Sequence, residues 1–190
     1  MKGFIASLFA VCVCAGLCSC AEEAQFETIA IKNVSINLPI YWEEEGSVKG
    51  DLSYYAEKEE GFLSENIIAS LDIEFKEETD PNYNVSFEGL EADNENMMKA
   101  IEKKYNDANV LGDEVVESDF GAKGILYKFS LNKSTGLLSE EPAKGYCFCF
   151  ASESDRRWYY ITMIRTNDAD NYNYDEDYMK MISSIQCDKK

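Results

Sequence analysis

Sulfur and carboxylate are the reactive groups this chain has in quantity, and imidazole is missing altogether. It carries seven cysteines, no histidine, and 36 Asp and Glu against 18 Lys and Arg, for a net charge of −18. Without histidine, Ser-His-Asp and Cys-His catalysis are unavailable and the commonest metal ligand is gone. Carboxylate-pair and lysine chemistry remain. Adjacent acids do occur, as in Glu77-Glu78 with Asp80 and in Glu140-Glu141. In so acidic a chain such neighbours arise by chance. None sits in the apolar setting that would turn a carboxyl into a general acid. We read them as solvated loops and assign no catalytic residue, no metal ligand and no cofactor.

Four of the cysteines, Cys12, Cys14, Cys18 and Cys20, crowd the start. Lys2 is the only charge before Glu22, and residues 4–17 (FIASLFAVCVCAGL) are apolar apart from Ser7. A single positive charge followed by a short apolar run is the pattern of a signal peptide. The run is shorter than the ~20 residues a spanning helix needs. Leu17-Cys18-Ser19-Cys20 resembles the bacterial lipobox: a branched apolar residue, two small residues, then the obligatory cysteine. Cys18 is a mild departure at its position. The resemblance implies that residues 1–19 are removed and that Cys20 takes a diacylglyceryl group as a thioether, its new amine then being acylated. Two or more acyl chains, at about 0.8 kcal/mol per buried CH₂, anchor stably where one does not. Ala21 lacks the aspartate that holds some lipoproteins on an inner membrane, and Glu22-Glu23 resemble surface-export signals. The outer membrane or the cell surface is the expected location.

On this reading residues 20–26 are a lipidated tether and 27–190 one domain, long enough to bury a core. Losing Lys2 leaves 17 basic residues against the same 36 acids. Phosphate binding needs a basic footprint, so a nucleic-acid partner is excluded. Anionic lipid repels such a domain, so membrane contact must come through the lipid on Cys20.

Cys147, Cys149 and Cys187 remain. An odd number cannot pair completely within one chain. Cys147 and Cys149 share a strand face but are poorly oriented to bond each other. A disulfide from Cys149 or Cys147 to Cys187 would close a loop of about 39 residues and contribute about 4 kcal/mol. Three free, core-filling thiols is the reading we favour. Zinc would lack an evident fourth ligand. The acidic stretch Asn167–Asp175 resembles a calcium loop but fails in detail: counted from Asp168, the sixth position is Asn173 rather than glycine and the twelfth is Met179 rather than glutamate. It reads as a polar loop with helix-capping residues. Tyr54-Tyr55 and Tyr172 with Tyr174 could make an aromatic platform, though such residues usually fill a sheet face.

The elements that must position these residues follow from apolar period. Val34, Ile36 and Leu38 alternate with Ser35 and Asn37 up to Pro39, with residues 26–31 as a hairpin partner across Lys32-Asn33. Residues 52–57 form a strand. Ile67, Ala69, Leu71, Ile73 and Phe75 alternate with polar residues, a strand with one wet face. Over residues 87–105 the period turns helical, with Leu90, Met97, Met98, Ile101 and Tyr105 on one stripe. Strands return at 114–118 and 124–132. The runs 145–151 (GYCFCFA) and 158–164 (WYYITMI) are apolar on both faces, as covered central strands are, and Ser152–Arg157 suits a hairpin turn. Tyr178, Met181, Ile182 and Ile185 stripe a last helix, with Asp175, Glu176 and Asp177 in its first turn. Strands, helix, strands, helix with short turns predict an α+β fold around a mainly antiparallel sheet.

This order, with Val34–Pro39 followed by Trp42 near the start and Trp158-Tyr159-Tyr160 before a terminal helix, resembles the PsbP-like fold, whose members include many small bacterial lipoproteins. The resemblance spans most of residues 30–186 and implies an α-β-α sandwich that acts by binding, with no shared catalytic residues. The expected role is an envelope-anchored binding or accessory module for an unidentified protein or glycan partner. A carboxylate-based glycan hydrolase and a purely structural envelope component are the alternatives.

Overall fold

The computed structural model describes residues 24–48, 51–60, 65–106, 108–134, 140–167, 169 and 172–188. The leader and the lipobox residues Leu17, Cys18, Ser19 and Cys20 lie outside this range. Ten strands and three helices are described. In chain order they are β1 (Phe26–Ile31), β2 (Val34–Pro39), β3 (Glu43–Val48), β4 (Asp51–Glu60), β5 (Glu65–Glu77), α1 (Phe87–Ala92), α2 (Asn94–Lys104), β6 (Asn109–Glu117), β7 (Lys123–Ser134), β8 (Glu140–Ser152), β9 (Arg157–Thr166), α3 (Tyr174–Ser183) and β10 (Gln186–Cys187).

Seven strands make one sheet in the order β3-β4-β5-β9-β8-β7-β6, every neighbouring pair antiparallel. A second sheet, β1-β2-β10, is also antiparallel. The fold is α+β, and its helices lie on both faces of the large sheet. The two apolar runs are its centre: β8 and β9 sit between β7 and β5, and side chains of both parities are buried. Tyr159, Ile161 and Met163 join Phe148, Phe150 and Ala69, Leu71 and Ile73 of β5 in a core beneath α3 and the small sheet. Trp158 and Ile164 join Cys147, Cys149, Ile125, Tyr127 and Phe129 in a second core beneath α1 and α2.

Three local differences from the sequence pattern have physical causes. The helical stripe at 87–105 is two helices, not one. Ser86 caps α1 by accepting from the Gly89 N–H at 3.2 Å, and Asp93 ends it and starts α2, where short polar side chains compete with the helical backbone. β3 (EEEGSV) has no apolar alternation. It is one of the sheet's two edge strands, bulged between Glu44 and Gly46, and its acids face water. The last helix ends at Ser183, short of Ile185, and Cys187 follows on a separate strand, β10, opposite Val34 of β2.

Candidate functional site

β5 decides where the site is. Its residues Ala69, Leu71 and Ile73 are buried beneath the small sheet and α3, whereas the alternate set Ser70, Asp72, Glu74 and Lys76 is only partly covered. A helix cannot bury charged side chains without partners. α2 therefore lies beside β6 on the core formed by β7, β8 and β9 and leaves β5 open. Ile101 is its buried residue, and Met97, Met98 and Tyr105 flank it. Between α2 and β5 runs a groove of about 440 Å³, within the usual size range for ligand sites. Glu74, Lys76, Met97, Ala100, Lys104, Tyr105, Cys147, Tyr160 and Thr162 line it. A smaller hollow of about 270 Å³ shares Lys76, Met97, Ala100 and Tyr160 and carries the groove on to Trp158, Tyr83 and Asp93.

The floor is sulfur and aromatic rings. The Sγ atoms of Cys147 and Cys149 lie 3.6 Å apart, and Thr162 Oγ1 donates to Cys147 Sγ at 3.3 Å. Hydrogen bonding from Cys149 and Thr162 lowers the Cys147 thiol below its ordinary value, while burial raises that of Cys149 well above it. Tyr105 stacks on Phe129 with ring centroids 5.3 Å apart. Its own hydroxyl is buried without a geometrically acceptable hydrogen bond among the described residues, and burial raises it. The mouth is charged: Lys104 Nζ meets Glu74 Oε2 at 2.5 Å and lies 5.2 Å from the Tyr105 ring centroid. Hydrogen bonding to Glu74 raises the Lys104 ammonium despite an opposing cost of burial.

The three thiols are free, and the sheet separates them. Cys147 and Cys149 belong to the core under α1 and α2, whereas Cys187 packs against the core on the other side. The Cys149–Cys187 pairing is thus not made: β10 hydrogen-bonds to β2 and carries Cys187 away from β8. Among the described residues no three His, Cys, Asp or Glu side chains group as metal ligands. In the acidic loop, residues 168, 170 and 171 are outside the described range, but Asp175 is engaged by Arg165, Nε to Oδ1 and Nη2 to Oδ2, both 2.8 Å.

The tyrosines divide. Tyr54 is buried and Tyr55 donates to Glu43 at 2.6 Å. Tyr174 is buried beside Trp42, and Tyr172, two-fifths exposed, stacks on Tyr41 at 4.0 Å and 13°. Tyr41 donates to the buried Asp177 at 3.2 Å. These rings brace the end of β2 against α3.

Solved structures share this architecture. The Ran-binding protein Mog1p of Saccharomyces cerevisiae superposes with a TM-score of 0.54 at 9% identity, covering 87% of this chain and 96% of that one. Cyanobacterial PsbP (CyanoP) from Synechocystis does so with 0.52 at 12%, covering 91% and 98%. The chain has a PsbP-like fold. A Bacteroides thetaiotaomicron protein gives 0.50 at 8% identity over 88% of this chain, which spans only 49% of that longer one. No protein-family model and no curated protein matches the sequence. At these identities the likeness concerns the fold and carries over no residue.

In the sequence Cys147 is marked only as a core thiol and residues 87–105 only as helical, and nothing there joins them into a groove. The wet face of β5 was the available signal, since a charged strand face beside an amphipathic helix cannot be closed by it.

Proposed function

We propose that the chain is an envelope-anchored lipoprotein whose folded part is a non-catalytic binding or accessory module, and that the groove between α2 and β5 holds its partner or ligand. The leader and Cys20 support the anchor by their sequence pattern. The PsbP-like fold, also found in a Ran-binding protein, supports the binding role. The groove itself carries the assignment: it joins a charged mouth to an apolar floor on a rigid sheet, the form of most binding sites.

The arrangement speaks against the carboxylate hydrolase. Such an enzyme needs one carboxyl protonated and a second poised ~5–10 Å away. Of the acids lining the larger hollow, Glu74 is already paired with Lys104 and Asp51 accepts the Phe75 N–H at 3.2 Å, so both carboxyls are engaged within the protein.

A photocrosslinking residue at Ala100, in the groove wall, tests the site in living cells, with Thr28 on the opposite side as the control. A discrete adduct from position 100 that is absent from position 28 is expected. It should be weakened by Cys20→Ala, which should also abolish incorporation of labelled palmitate. Equal adducts at both positions, or none at 100, reject the groove; palmitate labelling that survives Cys20→Ala rejects the anchor.

A further inference from the structure

We propose that Cys147 and Cys149 form an all-sulfur site for a soft monovalent cation, Cu(I), with the Met97 thioether as the third donor. The proposal does not depend on what else the groove binds.

The spacing carries it. Two metal–sulfur bonds of about 2.3 Å spanning the 3.6 Å between the two Sγ atoms meet at about 100°. One ion can therefore bridge the thiols with the backbone left in place. A disulfide cannot form so easily. Its S–S bond of about 2.05 Å would have to close the 3.6 Å that now separates the two sulfurs. Their backbone is held on both sides, with Cys147 opposite Tyr127 and Thr162, and Cys149 opposite Ile125 and Tyr160. The thiols are set at a chelating distance in a strand that resists closing further.

The donor set selects the ion. The chain has no histidine, and among the described residues no third Cys, Asp or Glu joins the pair. Zinc, which takes four ligands, is left incomplete. Cu(I) is content with three, at which the bent angle is acceptable, and prefers thiolate and thioether. Met97 lines the same groove as Cys147 and packs against the core that holds both cysteines. Its three rotatable bonds let the sulfur adjust to an ion. Charge is also provided for: binding releases the two thiol protons to solvent and leaves a bis-thiolate Cu(I) unit of charge −1. The Lys104 ammonium stands at the mouth of the groove above it.

The test uses the full chain in detergent carrying Cys12→Ser, Cys14→Ser, Cys18→Ser, Cys20→Ser and Cys187→Ser, so that the pair supplies the only thiols. Under anaerobic conditions this parent should take one equivalent of Cu(I) from bicinchoninate, with a near-ultraviolet sulfur-to-copper absorption. Cys147→Ser or Cys149→Ser should weaken competition at least tenfold, and Met97→Leu several-fold. X-ray absorption of the loaded parent, which requires no further variant, should show a sulfur-only shell of three atoms. A folded parent that takes up no Cu(I), a Cys147→Ser chain that competes as well as the parent, or oxygen or nitrogen in the copper shell overturns the proposal.

Discussion

The hydroxyl of Tyr178 donates to the backbone carbonyl of Ile161 at 2.5 Å. The same oxygen accepts the N–H of Phe148 at 3.1 Å, and Phe148 and Ile161 face each other across β8 and β9. A side chain of α3 thus serves a backbone donor and acceptor at the centre of the sheet. Its own ionisation is pushed well up by burial, so it stays a donor at any physiological pH. Tyr178→Phe keeps the ring and removes both bonds. Leaving buried polar groups unpaired costs about 1–3 kcal/mol. Urea unfolding of the variant should show that loss with an unchanged m-value, and a midpoint equal to the wild type would refute the bridging role.

Arg165 and Asp175 tie β9 to the first turn of the same helix. The fork lowers the Asp175 carboxyl below its ordinary value, with Arg165 the first cause and Tyr146 a further one. A lowered acid contributes stability above its unfolded value of about 3.9, and that contribution is lost as pH falls through the folded value. The Asp175 side chain is two-fifths exposed, so its worth is limited to about 1 kcal/mol. The stability difference between wild type and Asp175→Asn should therefore be present at pH 7 and vanish in strong acid. A difference that does not change with pH would mean that packing, not charge, is lost.

How far this architecture is legible depends on whether neighbours in sequence are neighbours in space. β2 and β5 are visible as period-two alternation because one face of each is buried. β8 and β9 are visible as unbroken apolar runs because both faces are. The α+β class and the antiparallel sheet follow from those features and the short turns between them. β3 is not visible, since an exposed edge strand selects against apolar residues. β10, of two residues, has no pattern to show. Its pairing with β2 is a contact between opposite ends of the domain, and it places Cys187 on the far side of the sheet from Cys149. The groove likewise belongs to no single segment: it exists because α2 stops short of a charged strand that lies before α1 in the chain.

Gly145 is a position of β8 with no room for a side chain. It lies opposite Phe129 in the β7–β8 register, and a Cβ there would stand 2.1 Å from Cε2 of the Phe129 ring. The ring cannot simply retreat, because it stacks on Tyr105, which lines the groove. Gly145→Ala should cost about 1–3 kcal/mol by overpacking and alter the near-ultraviolet circular dichroism. In a Phe129→Leu background the same substitution should cost markedly less, the mark of coupled neighbours. Equal costs in both backgrounds would place the strain elsewhere.

Cys187 offers a reading of the other side of the sheet by chemistry. Burial, with Asp155 and Asp188 adding like charge, pushes its thiol up to about 11. Only the thiolate reacts, so at pH 8 a thiol near 11 should be modified about two orders of magnitude more slowly than an ordinary one near 8.5. The rate of iodoacetamide labelling at Cys187, followed by peptide mass spectrometry, should keep rising up to pH 11, with circular dichroism confirming the fold at each step. Asp188→Asn removes one of the two acids and should bring the midpoint down, because less charge then opposes the thiolate. If labelling levels off near pH 8.5, the half-buried site is open to water and the like charges are screened. If it rises but Asp188→Asn leaves the midpoint unmoved, desolvation and Asp155 alone set it.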